Sequence, residues 1–531
     1  MLKKESHTKQ VLLNTIAGLG GFAGSAVIGL ALTPYLIHRL GFETYGFWIV
    51  LSTAINYIGL MDLGVSTTFI KYVAEYAATG QWQRVRAVIT FGVLFYCGLA
   101  VVSAPIAFAV APIVAGWMKV SPYLASEAPY FFAAIAVTFF LTQASGVVGS
   151  LLGGIGYLRH VNVVNFAARL CFAVAAIASL WYGLSINGLI LATFAQIAVA
   201  SLAFYVVGRR MAGGVFCSPR SLEWDVVKKL FKLGGWIQIT NLASTITMET
   251  NRLIIAVFVQ TSAVTTYEIA NKLTRTMRSV PFNFVVALLP AVSAMDAVDA
   301  GQRFNRVYVR AARYLNAATL YLVGFVMVAA EPLCKLWLGT TYPEVTVSVL
   351  FLGCAFIVVN YTAIGTCMLR AIGQPKYEAY YFICFAVATI AAMMGLVPAY
   401  KLTGVLAGML AGSIVSSAYF LWLFHRLRRL DAWTGFFSWF LQITAAGAGA
   451  MAATYAVSTR LHAHAFATRG GAAIETVVLG VAYTVVYVML LAATKFFETS
   501  DAQMLARVMP AGIRVMARSI LPAWAFARGP S

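Results

Sequence analysis

The stretch Gly80-Gln81-Trp82-Gln83-Arg84-Val85 returns, with one residue inserted, as Gly301-Gln302-Arg303-Phe304-Asn305-Arg306-Val307. Upstream of the first copy, Thr44-Tyr45-Gly46 opens an apolar run, and upstream of the second, Thr266-Tyr267-Glu268 opens another. Downstream, Gly156-Tyr157-Leu158-Arg159 stands opposite Gly373-Gln374-Pro375-Lys376, and Gly188-Leu189 opposite Gly404-Val405. Each match is weak alone, but the offset holds between 216 and 222 residues along both halves. A duplicated apolar unit of this length is a common plan for membrane transporters, with the substrate path between the repeats.

Composition places the repeat in lipid. Of 531 residues, 61% are hydrophobic and 11% are Asp, Glu, Lys or Arg. A soluble fold could not hide that much apolar surface. The sequence predicts an all-α integral membrane protein with about fourteen transmembrane helices, two parallel six-helix repeats plus two extra helices. The apolar runs lie near 12–36, 45–70, 87–111, 129–152, 161–182, 186–208, 233–259, 264–292, 312–332, 345–369, 377–399, 402–424, 434–456 and 473–494. Each approaches the roughly 20 residues that a crossing helix needs. An even number of spans per half makes both copies point the same way, about an axis along the membrane normal. The expected divisions are 1–217, a first six-helix lobe; 218–232, a cytoplasmic amphipathic connector; 233–430, a second lobe; 431–496, two additional helices; and 497–531, a basic cytoplasmic tail. In the tail, Leu505, Val508, Met509, Ile513, Met516 and Ile520 alternate with arginines. That pattern fits a short helix on the inner leaflet or a disordered basic segment. Pro34, Pro281 and Pro290 mark expected kinks in the first and eighth spans.

The formal charge of +20 would suggest nucleic acid in a soluble protein. Here it reports topology, and no nucleic-acid partner is expected. Of the 38 Lys and Arg, 27 fall in loops on one side, 6 on the other, and 5 inside spans. Basic loops stay in the cytoplasm, so both termini should be inside, in the bacterial inner membrane, with anionic lipid as a secondary contact. The first apolar run reads as an uncleaved first span. The seven cysteines show no paired spacing and read as apolar fillers. His462 and His464 lack a third ligand nearby, so neither a metal site nor a cofactor is expected.

Ionisable residues inside the spans carry the functional reading. Helix seven holds Glu249 and Arg252; helix eight holds Glu268, Lys272, Arg275 and Arg278; Arg169 lies in helix five and Asp62 in helix two. Each Lys or Arg at the bilayer centre costs about 2.5–3.5 kcal/mol on insertion scales, so these groups should face protein or a wet cavity. Glu268, Lys272 and Arg275 fall within about 60° on a helix, and Arg278 flanks them. Glu249 and Arg252 share a face. Two readings stand side by side. The acid–base pairs Glu249–Arg252 and Glu268–Lys272 neutralise each other and Arg278 snorkels, or Arg275, Lys272, Arg252 and Arg278 present cations to a cargo. Asn165 and Arg169, one turn apart, could reach the same cavity. Glu249, Glu268 and Asp62 are the candidates for ion coupling; Asp62, in Gly59-Leu60-Met61-Asp62-Leu63-Gly64, equally fits the cap of a broken helix.

Leu32-Thr33-Pro34-Tyr35-Leu36-Ile37-His38-Arg39-Leu40-Gly41-Phe42-Glu43-Thr44-Tyr45-Gly46, with Leu60-Met61-Asp62-Leu63-Gly64, resembles the polysaccharide-export flippases of the multidrug/oligosaccharidyl-lipid/polysaccharide superfamily. Leu288-Leu289-Pro290-Ala291-Val292-Ser293 and the turn Leu336-Trp337-Leu338-Gly339 also look like that family. The resemblance implies a V-shaped cavity and lobes that rock. It implies a cargo of polyprenyl-diphosphate-linked oligosaccharide, a repeat unit for exopolysaccharide or O-antigen, moved from the inner to the outer leaflet. Polysaccharide polymerase and export machinery are the implied protein partners. Glu249 and Glu268 dilute the cationic cavity that such a cargo suggests. Two alternatives remain at this point: a cation-coupled multidrug or small-molecule exporter of the same fold, and a membrane-embedded polysaccharide polymerase or glycosyltransferase. The latter would need a positioned acid or base at the membrane surface. The longest external segment has no acid before Glu475.

Overall fold

A computed structural model describes residues 7–62, 64–211, 221–296, 302–371, 374, 376–428, 433–462, 468–494 and 496. The protein is an all-α membrane protein. Lipid offers no hydrogen-bond partner to the backbone, so apolar runs of this length close their own bonds as helices. Fifteen α-helices follow one another among the described residues: α1 (His7–Ile58), α2 (Ser66–Ala78), α3 (Trp82–Trp117), α4 (Pro122–Gly154), α5 (Leu158–Trp181), α6 (Ser185–Met211), α7 (Trp224–Ile254), α8 (Thr261–Asp296), α9 (Gln302–Val328), α10 (Ala330–Leu338), α11 (Pro343–Asn360), α12 (Ala363–Ala371), α13 (Lys376–Arg428), α14 (Trp433–His462) and α15 (Arg469–Ala493).

Against about fourteen expected crossings, ten helical stretches among the described residues are long and apolar enough to span a membrane. The difference has two physical sources. Ala23–Asp62 runs 40 residues and Lys376–Leu427 runs 52, so each is long enough at about 1.5 Å per residue to exceed a hydrocarbon core of about 30 Å. Each also contains a break: Gly41 at φ 77° in α1 and Lys401 at φ 49° in α13. The break in α1 falls at Gly41, which can adopt that φ without a Cβ penalty, and not at the expected Pro34, which lies inside the helix. The second source is charge: α8, where another crossing was expected, carries Glu268, Lys272, Arg275 and Arg278 within little more than three turns.

The chain divides into two compact units, Met1–Glu268 with Val397–Val405, and Ile269–Leu396 with Leu406–Ser531. In the first unit, Phe69, Tyr96, Phe140, Val147 and Leu151 form the core of α2, α3 and α4. Phe69 and Tyr96 meet edge to face with centroids 6.1 Å apart, an arrangement worth about 0.5–1.5 kcal/mol beyond its buried area. Val226 and Leu230 join the same core, so part of the segment expected as a connector is the first two and a half turns of α7. Within this unit the two echoing triplets lie on helices that touch. The Thr265 hydroxyl donates to the Phe42 carbonyl at 2.6 Å, and a Cβ on Gly46 would lie 2.1 Å from the Thr261 carbonyl oxygen. Only glycine lets those backbones approach so closely.

In the second unit, α9 is the post against which α14 and α15 dock. Tyr483 donates to the Leu320 carbonyl at 3.1 Å, Tyr487 donates to that of Ala317 at 2.9 Å, and Tyr321 shares a 2.7 Å bond with Thr484. Tyr483 and Tyr487 are stacked, with centroids 5.8 Å apart. The two helices without a counterpart in the repeat therefore share the core of Phe420, Phe424 and Trp439. The expected tail 497–531 and His464 of the histidine pair lie outside the described residues.

Candidate functional site

Asp62 ends a single 3₁₀ turn, Gly59–Asp62, between the end of α1 and the start of α2. It is buried, and its neighbours use up its oxygens. The Ser66 amide donates to Oδ1 at 3.2 Å and Oδ2 at 3.3 Å, the Ser66 hydroxyl donates to Oδ2 at 2.7 Å, and the Tyr96 hydroxyl donates to Oδ1. This geometry satisfies orphan donors at a helix start. These bonds agree with the cap reading of Asp62 and do not bear on ion coupling.

Further along, α7 gives way to a π-helical turn, Ile255–Val259. Such turns are rare and concentrate at functional sites. Just before it, Arg252 is clamped by two acids. Its Nε and one terminal nitrogen donate to Glu268 Oε2 at 3.0 and 2.9 Å, and its other terminal nitrogen donates to Glu249. The three side chains are only 10–13% exposed. Asn251 donates to the Tyr267 hydroxyl at 3.3 Å, and Tyr57 bonds Thr250 at 2.8 Å, fixing α7 from both sides. The pair expected between Glu249 and Arg252 is thus joined by a third member from α8. Arg252 is held by two carboxylates, one from its own helix and one from α8.

The remaining cations of α8 lie in different surroundings. Lys272 is half-buried, and Arg275 is exposed. Arg278 is half-buried between rings, its guanidinium carbon 5.6 Å from the Phe282 centroid and 5.2 Å from that of Phe356. Its Nε is buried without a hydrogen-bond partner. Neither Arg275 nor Arg278 has a carboxylate partner among the described residues.

A second feature lies wholly in the first unit. A cavity of about 570 Å³ opens among α1, α4, α5 and α6, with Ser25, Gln143, Asn162, Asn165, Arg169 and Gln196 on its walls. The structure therefore brings Asn165 and Arg169 together at one cavity. Sequence reasoning missed Gln143, Asn162 and Gln196. A signal was available: Asn162, Asn165 and Arg169 recur at i, i+3 and i+7, the spacing of one helical face, inside a span that is otherwise apolar. Among the described residues no group of three or more His, Cys, Asp or Glu is placed to hold a metal ion.

Comparison with known proteins gives these features a setting. The family described as "Polysaccharide biosynthesis protein" matches residues 40–347, more than half of the chain. A Shigella flexneri protein described as "Putative O-antigen transporter" is 22% identical over 432 residues, covering 78% of this chain and 98% of that one. Among solved structures, the lipid II flippase MurJ in an inward closed conformation superposes with a TM-score of 0.63 at 13% identity, covering 92% of this chain and 99% of the flippase. An inward-facing multidrug resistance MATE transporter of the MOP superfamily gives a TM-score of 0.62 at 15% identity, covering 79% and 96%. At such identities the solved structures establish the fold, and the family match establishes the kinship. The chain belongs to the family described as "Polysaccharide biosynthesis protein" and is built on the fold shared by the MATE and MurJ structures.

Proposed function

We propose that this protein flips a polyprenyl-diphosphate-linked oligosaccharide from the inner to the outer leaflet of a bacterial inner membrane, through about fourteen crossings and by alternating access. Such a cargo has a sugar head that hydrocarbon rejects and a tail that water rejects. A transporter for it must offer fixed cations to the diphosphate and polar groups to the sugars, without enclosing the tail. The observation that carries this reading is the pair Arg275 and Arg278, guanidinium groups on α8 with no carboxylate partner among the described residues. A charge kept in a membrane protein without a neutralising partner costs several kcal/mol or less, depending on its access to water, and such charges mark substrate paths. Outward movement of an anionic head is also assisted by an inside-negative potential, by about 2.3 kcal/mol per charge per 100 mV.

The MATE and MurJ likenesses are equally close in fold, so fold does not separate drug export from lipid-linked cargo. The charge pattern favours the anionic cargo. Glu249 and Glu268 are proposed as the ion-coupling groups, because they are two largely buried carboxylates that meet at one guanidinium among the helices. The test is Arg275→Ala in the native host. The expected result is loss of surface polysaccharide at normal protein abundance, with lipid-linked oligosaccharide accumulating on the inner leaflet. Wild-type surface polysaccharide would remove Arg275 from the transport path. Drug resistance on overexpression, with polysaccharide unaffected by deletion, would favour the exporter instead.

A further inference from the structure

The cavity of the first unit has the marks of a binding site. Its volume, about 570 Å³, lies in the range of small-molecule sites, about 300–1,000 Å³. Four carboxamides (Gln143, Asn162, Asn165 and Gln196) and one guanidinium (Arg169) line it, and none of these five makes a hydrogen bond or ion pair within the protein among the described residues. Polar side chains in membrane spans normally bond across helices; here Asn165 and Arg169 are exposed to the cavity's opening, and Gln143, Asn162 and Gln196 are half-buried yet unbonded. Ser145 supplies a second, independent sign. It is 8% exposed, lines the same cavity, and its Oγ has no partner. A buried hydroxyl left unpaired is destabilising unless something else binds it.

Small residues keep the space open. A Cβ added to Gly146 would meet nothing within 4 Å, and one added to Gly18 would sit 3.5 Å from Asn162 Nδ2. The walls also include the rings of Phe166 and Phe204, which offer flat apolar faces beside the amides.

We propose that this cavity binds a carboxylated sugar of the transported glycan, with Arg169 on the carboxylate and the carboxamides and Ser145 on the ring hydroxyls. The inference rests on the flippase reading for its cargo, and deepens it by naming the sugar class. Its chemistry follows from the lining. A guanidinium fork matches a carboxylate in bidentate fashion. Each carboxamide carries both donors and acceptors, as ring hydroxyls do. Arg169 is the one charged residue on the walls among the described residues, so a monoanion balances it. A diphosphate would bring at least two negative charges against one positive in a medium of low dielectric.

The test uses purified full-length protein in lipid nanodiscs and three probes: glucuronate, glucose and inorganic pyrophosphate. Wild type is expected to bind glucuronate at least tenfold more tightly than glucose. Arg169→Gln should bring glucuronate down to the level of glucose, while Arg169→Lys keeps part of the preference. Gly146→Leu, which fills the space, should weaken both sugars at least tenfold with thermal unfolding unchanged. Equal binding of glucuronate and glucose by wild type, or full glucuronate affinity in Arg169→Gln, would overturn the proposal. Pyrophosphate displacing glucuronate in an Arg169-dependent manner would also overturn it, assigning the cavity to the lipid's diphosphate. The two readings fail separately. Absent glucuronate binding, with lipid-linked oligosaccharide still trapped inside an Arg275→Ala strain, sinks only the sugar assignment. Glucuronate binding, with the lipid-linked oligosaccharide outside in a deletion strain, upholds the cavity and sinks the flippase.

Discussion

The neighbouring helices α7 and α8 both hold arginine, and they treat it in opposite ways. On α7, Arg252 sits between Glu249 and Glu268 with its donors engaged on both sides. On α8, Arg278 rests between Phe282 and Phe356 with its Nε unpaired, and Arg275 is exposed without a carboxylate. The helices are consecutive and the residue type is the same. What differs is the source of compensation. Arg252 is neutralised from within the protein, so it can hold helices in register whether or not a cargo is present. Arg275 and Arg278 leave their charge to be met by water or by a ligand. Pairing inside the fold is a mark of structure, and its absence is a mark of work done on something else.

The largest effect should come from breaking the paired region. Arg252→Ala leaves two buried carboxylates facing each other, and removing one partner of such a cluster typically costs about 3–5 kcal/mol. The expected outcome is a sharp fall in thermal stability of the purified protein and in its membrane abundance. Arg275→Ala, by contrast, should stay within about 0.5 kcal/mol of wild type, as exposed substitutions do, while export drops at least tenfold. Equal destabilisation by both variants would erase the distinction and make Arg275 a structural residue.

Asp62 tests the same contrast with the sign of the charge reversed. Asp62→Ala removes the acceptor of the Ser66 amide and hydroxyl and of the Tyr96 hydroxyl, leaving buried donors unmet at about 1–3 kcal/mol. Asp62→Asn retains a side-chain oxygen for the helix start but cannot carry a proton. Export in Asp62→Asn is expected to survive. Its loss at unchanged unfolding temperature would move Asp62 from the cap to the coupling machinery.

Arg278 is the intermediate case, so a milder variant is more informative there. Phe356→Leu removes one face of its aromatic sleeve. Cation–π contacts are worth about 0.5–1 kcal/mol at exposed sites and about 2 when desolvated, so a stability loss of about 1–2 kcal/mol is expected. A loss near zero would show that water or lipid, not the rings, compensates Arg278.

Much of this contrast was legible in the sequence, and the rest was not for identifiable reasons. Apolar runs named the all-α membrane class, because lipid leaves the backbone few options. The i, i+3 spacing of Glu249 and Arg252 announced their pairing. It could not announce Glu268 as the third member, because that contact is made across α7 and α8. The cap role of Asp62 was readable from its flanking glycines, but Tyr96, 34 residues away, became its partner only through the packing of α3. Arg169 and Asn165 were visible as polar residues in an apolar span. Gln143 and Gln196 were not, since single amides in α4 and α6 acquire meaning only once four helices converge on one cavity.

The smallest effect should come from a third arginine, which supplies the control. Arg84 lies 3.4 Å from Glu223, with side chains 44% and 34% exposed. It also bonds the Gln81 side chain at 2.8 Å and sits 5.7 Å over the Tyr76 ring. It is thus partnered on three sides, though by one acid where Arg252 has two. Water competes for each of those contacts, however, and exposed ion pairs contribute about 0–1 kcal/mol. Arg84→Ala is therefore expected to lower stability by less than about 1 kcal/mol, with export unchanged and the difference shrinking further at high salt. If Arg84→Ala proved as damaging as Arg252→Ala, partner geometry alone would set the strength of a charge pair in this fold. The contrast between α7 and α8 would then need no reference to their surroundings. If the ranking holds, burial makes the pairing of Arg252 decisive.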